Sequence, residues 1–90
     1  MIARRYVLSG RVQGVGFRWF VLRRAQTLRI VGSVRNLPNG SVEVVASGAT
    51  DAIARLERDL REGPSLARVT GFDVTELPPD EIAGTSFDVR

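Results

Sequence analysis

The 90-residue chain contains no cysteine and no histidine. The first absence excludes disulfides and thiol chemistry. The two together argue against a zinc or copper site, and the missing imidazole removes every triad that depends on a histidine base. Lysine is absent as well: all 13 cationic residues are arginine, whose planar fork suits phosphate better than an ammonium does. No long apolar run occurs. The start, Met1-Ile2-Ala3-Arg4-Arg5, is basic, but no hydrophobic stretch follows it, so neither a signal peptide nor a membrane span is expected. These absences predict a cytoplasmic protein without a zinc or copper site.

What is present is ordinary for a globular chain: 43% hydrophobic and 26% charged residues. The length predicts one domain over residues 1–90, burying roughly 60–65% of its unfolded surface. The net charge of +3 conceals an asymmetry. Residues 1–42 carry eight arginines and no acid, whereas residues 43–90 carry five arginines and all ten acids. The first half is therefore expected to attract anions.

Tyr6, Leu8, Gly10 and Val12 alternate and predict a first strand over Tyr6–Val12. Gln13-Gly14-Val15-Gly16 breaks the pattern. Phe17, Phe20, Val21, Ala25 and Leu28 then follow helical spacing, predicting a helix over Phe17–Leu28. Ile30–Asn36 is rich in β-branched residues and reads as a second strand. In Leu37-Pro38-Asn39-Gly40, the fixed φ of Pro38 excludes a type I′ turn beginning there; a type I turn with Gly40 left-handed fits. Ser41–Ser47 forms the third strand, with Val42, Val44 and Ala46 on one face and Glu43 on the other. A second helix starts with Thr50 as cap and Asp51 in its first turn. It buries Ile53, Leu56 and Leu60, and Gly63-Pro64 ends it. The pairs Asp51/Arg55, Glu57/Arg61 and Arg58/Glu62 lie four apart on its surface. Ala67–Leu77 is a long strand whose parity shifts near Gly71, predicting a bulge. Ser86–Arg90 is a short last strand. The order βαββαβ, with that extra C-terminal strand, defines an α+β two-layer ferredoxin-like sandwich. Two helices pack on one face of a mixed, mostly antiparallel sheet.

Chemistry concentrates in Ser9-Gly10-Arg11-Val12-Gln13-Gly14-Val15-Gly16-Phe17-Arg18. A strand enters a glycine loop and leaves it as a helix. Glycines let main-chain N–H groups turn toward one point and let an oxyanion approach, the helix start adds its free amides, and Arg18 can grip a phosphate with two hydrogen bonds. The segment lacks the Gly-Lys-Ser/Thr of a nucleotide-binding P-loop and the third glycine of a dinucleotide site. Without further information, the competing reading is a tight turn with a surface arginine. Asn36, at the end of the second strand, is the other candidate; an asparagine there also commonly bonds its own turn.

Gly10-Arg11-Val12-Gln13-Gly14-Val15-Gly16-Phe17-Arg18 resembles the first signature of the acylphosphatase family. Gly32-Ser33-Val34-Arg35-Asn36, with Asn39-Gly40-Ser41-Val42-Glu43, resembles the second, and Ser86-Phe87-Asp88-Val89-Arg90 is similar to the family's C-terminus. The resemblance implies hydrolysis of the carboxyl–phosphate bond of small acyl phosphates without a cofactor. It further implies that the amides of Gln13, Gly14, Val15, Gly16 and Phe17 together with Arg18 bind the phosphate, and that Asn36 orients the attacking water. Inorganic phosphate or sulfate is then expected to compete, and the protein to act as a monomer with no nucleic-acid or membrane partner. Three positions depart from the family pattern: Ser33 replaces a common aromatic, Asn39 a common aspartate, and Arg29 a common glycine after the first helix. A left-handed Arg29 carries a strain of about 1 kcal/mol.

Trp19, Phe20 and Phe72 are expected to pack in or against the core, and Tyr6 to be a strand residue with a satisfied hydroxyl. The alternative of another class is a non-catalytic RNA- or anion-binding module of the same fold, but RNA-recognition sheets stack bases on aromatics of their central strands. The third strand has none and the first has only Tyr6. A regulatory domain of a larger assembly is a third reading; a chain ending at Arg90 favours a free-standing enzyme.

Overall fold

In the computed structural model, which describes residues 1–82 and 84–90, the elements are β1 (Ile2–Arg11), α1 (Phe17–Thr27), β2 (Val31–Asn36), β3 (Val42–Gly48), α2 (Thr50–Glu62), β4 (Arg68–Leu77) and β5 (Phe87–Val89), with a 3₁₀ turn at Pro79–Glu81. The sheet runs β4-β1-β3-β2-β5. β1 pairs antiparallel with β3 and β4, and β2 antiparallel with β3. Among the described residues, only β2–β5 is parallel. This is the expected ferredoxin-like βαββαβ sandwich with one added edge strand.

One hydrophobic cluster joins the helices to a single sheet face. Phe17, Val21 and Ala25 of α1 and Ile53, Leu56 and Leu60 of α2 meet Tyr6, Leu8, Val34, Val42, Val44 and Ala46, all buried. The period-3.6 and period-2 stripes read from the sequence are these faces. The bulge falls on β4 at Thr70, because Ser9 opposes Gly71 while Gly10 opposes Val69. The β2–β3 turn has Gly40 left-handed (φ 93°), its N–H bonded to Leu37 O at 3.1 Å.

The structure moves the start of β1 and the cap of α2, and shifts most other strand ends by one residue. β1 begins at Ile2 rather than Tyr6. Arg4 and Arg5 break the apolar alternation yet belong to the strand because acids meet them: Arg4 reaches Glu57 at 3.1 Å and Glu76 at 3.2 Å, and Arg5 reaches Glu43 at 2.7 Å. At α2, Thr50 is the first helical residue and Ala49 occupies the cap position without a side-chain bond. Of the three spaced pairs, only Glu57/Arg61 closes within the salt-bridge limit among the described residues, at 3.7 Å; exposed helical pairs are too weakly bound to order long side chains. Arg29 is left-handed (φ 56°), as its position after α1 predicts. Its N–H bonds Gln26 O and that of Ile30 bonds Ala25 O, the paired bonds of a Schellman motif. This closure holds Arg29 in place against its strain.

Folding pairs half of the first-half arginines with acids among the described residues. Arg4, Arg5, Arg24 and Arg35 of the first half each pair with acids of the second. Glu43 receives both Arg5 and Arg35 at 2.7 Å on the sheet face away from the helices. Burial pushes its carboxyl up, but the two guanidinium hydrogen bonds outweigh this and hold it below the ordinary value.

Tyr6 donates to Glu57 at 3.2 Å, as a buried hydroxyl must find a partner. Burial foremost, then the Glu57 carboxylate, push its phenol from 10.0 up to about 12, against the opposing effect of Arg4. The folded state therefore keeps a proton that the unfolded chain releases from pH about 10. The stabilisation is complete below that pH and is lost as pH rises toward about 12. Tyr6 is the one tyrosine, so ultraviolet titration reads it directly: tyrosinate absorbance is expected only well above pH 10 in the folded protein, and near 10 once urea unfolds it.

Candidate active site

The glycine loop lies between the end of β1 and the start of α1. Gly14 (φ 72°) and Gly16 (φ 78°) are both left-handed, and a Cβ on either would meet nothing within 4 Å. These positions need glycine for backbone conformation, not for lack of room. Gly16 also occupies the N-cap position of α1, which has no side-chain cap; the first helical bond is Phe20 N–H to Gly16 O at 3.1 Å. The amides of Gln13, Gly14, Val15, Gly16 and Phe17 donate to no acceptor among the described residues. Unsatisfied donors at a helix start favour negative charge.

The loop is fastened to the second motif by a side chain whose role the sequence did not disclose. Gln13 Nε2 donates to Leu37 O and Ser41 O, both at 2.9 Å, across the β2–β3 turn. Asn36 stands just before that turn. It shares the parity of buried Val34, so its side chain rises on the helix-bearing side of the sheet. Its amide makes no hydrogen bond to a described residue; the turn-stabilising role falls to Asn39, whose Oδ1 accepts from Ser41 N at 3.0 Å.

Arg18 is half-buried at the first turn of α1. Its Nη1 donates to the main-chain oxygen of Arg90 at 2.8 Å, while Arg90 N–H bonds Val34 O at 2.8 Å. β2 and the segment after β5 thus tether the guanidinium. A cavity of about 140 Å³ is lined by Val12, Gly14, Gly16, Phe17, Arg18, Trp19 and Asn36. It gathers most of the residues singled out from the sequence. Gln13 and Val15 are not among its lining; Val15 packs against the core instead. Wider, more open hollows elsewhere, such as one of about 420 Å³ beside Arg29 and Ser86, contain neither Arg18 nor Asn36.

Two residues of the site were not assigned to it from the sequence. Arg90 contributes through its main chain, which side-chain patterns do not reveal. Trp19 was expected to pack, yet it is 57% exposed and lines the cavity. Helical phase contains the signal: at 100° per residue, Trp19 lies about 200° from Phe17, opposite the buried stripe. Phe20 and Phe72 do pack against the core.

Fold and site together define a small ferredoxin-like domain with an anion-sized cavity where a strand, a glycine loop and a helix meet. The acylphosphatase family model matches residues 4–89. The chain is 48% identical over 81 residues to an acylphosphatase of Alkalilimnicola ehrlichii, covering 87% of this chain and 91% of that one. It is 47% identical over 77 residues to one of Koribacter versatilis, covering 86% and 70%. Crystalline acylphosphatase from Bacillus subtilis superposes with a TM-score of 0.92 at 34% identity, over 100% of this chain and 99% of that one. The chain belongs to the acylphosphatase family, and with it to the hydrolases of the carboxyl–phosphate bond.

Proposed function

We propose that residues 1–90 act as one catalytic domain that hydrolyses small acyl phosphates to a carboxylate and inorganic phosphate. Arg18 and the amides of Gln13 to Phe17 hold the phosphoryl oxygens, and Asn36 orients the attacking water. The supporting observation is the shared cavity of Arg18, Asn36 and the two left-handed glycines.

The chemistry asks little of the protein. A carboxylate leaves readily, so no strong general acid is needed. Phosphoryl transfer passes through a loose transition state with charge spread over the equatorial oxygens. Positioning and electrostatic stabilisation then suffice. A guanidinium fork and a ring of amides meet that charge without reorganising. An amide side chain can align a water but is a poor base, so the water's proton passes to a phosphate oxygen of the substrate. The protein works as a monomer in the cytoplasm, and inorganic phosphate and sulfate compete for the same cradle.

The test is hydrolysis of benzoyl phosphate with a chelator present. Turnover is expected to be unchanged by the chelator and inhibited competitively by inorganic phosphate. With no His or Cys in the chain, kcat/KM is expected to stay flat between about pH 5 and 7.5. No turnover, or a steep enzyme-derived transition within that range, defeats the proposal.

A further inference from the structure

Building on the active-site reading above, we infer that Trp19 is a specificity residue: its indole forms the platform on which the acyl part of the substrate rests, favouring bulky apolar, and above all aromatic, acyl groups. Three observations lead there. First, the cavity of about 140 Å³ is small; pockets that enclose a whole organic ligand run to roughly 300–1,000 Å³. It therefore holds the phosphoryl end, and the acyl group must leave through its mouth.

Second, the apolar surface at that mouth comes from Trp19. The other large apolar lining residues, Val12 and Phe17, are 1% and 2% exposed, against 57% for Trp19. Third, Trp19 has no packing role among the described residues. It is outside the hydrophobic cluster and the residues packed against it, and no described ring or cation stacks on it. An indole kept in water at the rim of a charged site, one residue from Arg18, fits an apolar ligand that arrives attached to an anion. Its broad flat face provides large contact area with only two side-chain torsions to fix.

The experiment compares acetyl phosphate with benzoyl phosphate on the wild type, Trp19→Ala and Trp19→Phe. Trp19→Ala is expected to lower kcat/KM about tenfold more for benzoyl phosphate than for acetyl phosphate. Trp19→Phe restores most of the preference. The inhibition constant of inorganic phosphate is expected to change less than kcat/KM for benzoyl phosphate, since Arg18 and the loop amides that hold the anion are kept. In the wild type, the emission of this one tryptophan shifts more with benzoate and phosphate together than with phosphate alone. An unchanged ratio between the two substrates overturns the inference. So does an equal loss on both, which would mean that Trp19 only positions the helix start. If the wild type turns over neither substrate, the active-site reading itself falls, which is a different result from a failure of discrimination.

Discussion

Replacing Arg18 with Ala is expected to lower kcat/KM by about two to three orders of magnitude, or about 3–4 kcal/mol of transition-state stabilisation. The size follows from what is removed. The side chain brings a permanent positive charge and a two-pronged donor to a half-buried position beside amides that are already unsatisfied. Its Nη1 bond to Arg90 at 2.8 Å fixes the guanidinium before substrate arrives, so the remaining donors are pre-aimed and lose little entropy on binding. Phosphate inhibition should weaken in parallel, because ground state and transition state share the phosphoryl oxygens. Arg18→Lys keeps the charge but not the fork. A single ammonium lacks the fork that serves Arg90 and substrate together, so the lysine variant is expected to recover only a small part of the loss. Wild-type kcat/KM in Arg18→Ala would remove Arg18 from the mechanism.

Replacing Asn36 with Ala is expected to reduce kcat by about a hundredfold, the scale of losing alignment of a reacting group. The fold should persist, because the Asn36 amide bonds no described residue and the turn is held by Asn39 and Gln13 instead. Phosphate inhibition should be unaffected. That split between kcat and phosphate affinity separates a water-orienting residue from a structural one. An unfolded Asn36→Ala variant, or one that loses phosphate binding as severely as Arg18→Ala, would assign Asn36 a different task. Asn36→Asp offers a further contrast: a carboxylate at the same position repels the anion, so phosphate inhibition should weaken as pH rises through its titration.

Much of this architecture is legible in the residues because local and global preferences agree. Ile53, Leu56 and Leu60 can only be one helical face, and Gly63-Pro64 can only be its end. The βαββαβ order then leaves few ways to arrange the sheet. The strand–glycine–helix junction is equally plain, since Gly14 and Gly16 stand where the backbone is left-handed. The failures have a common cause: they depend on partners distant in sequence. Arg4 and Arg5 look like a break in a strand until Glu57, Glu76 and Glu43 are brought alongside. Thr50 looks like a cap because nothing local reveals that the helix takes Ala49 there. Gln13 appears to be one more loop amide until the β2–β3 turn lies under its side chain. Trp19 reads as core by composition and as surface by helical phase, and only the position of the cavity says why it is exposed.

The most direct test of the central claim is a crystal structure with inorganic phosphate bound. The account predicts the anion in the cavity after Val12, with the amides of the Gln13–Phe17 loop and the Arg18 guanidinium on its oxygens and a water held between it and Asn36. Phosphate found only elsewhere, with the Arg18 guanidinium turned away from the loop, would contradict it.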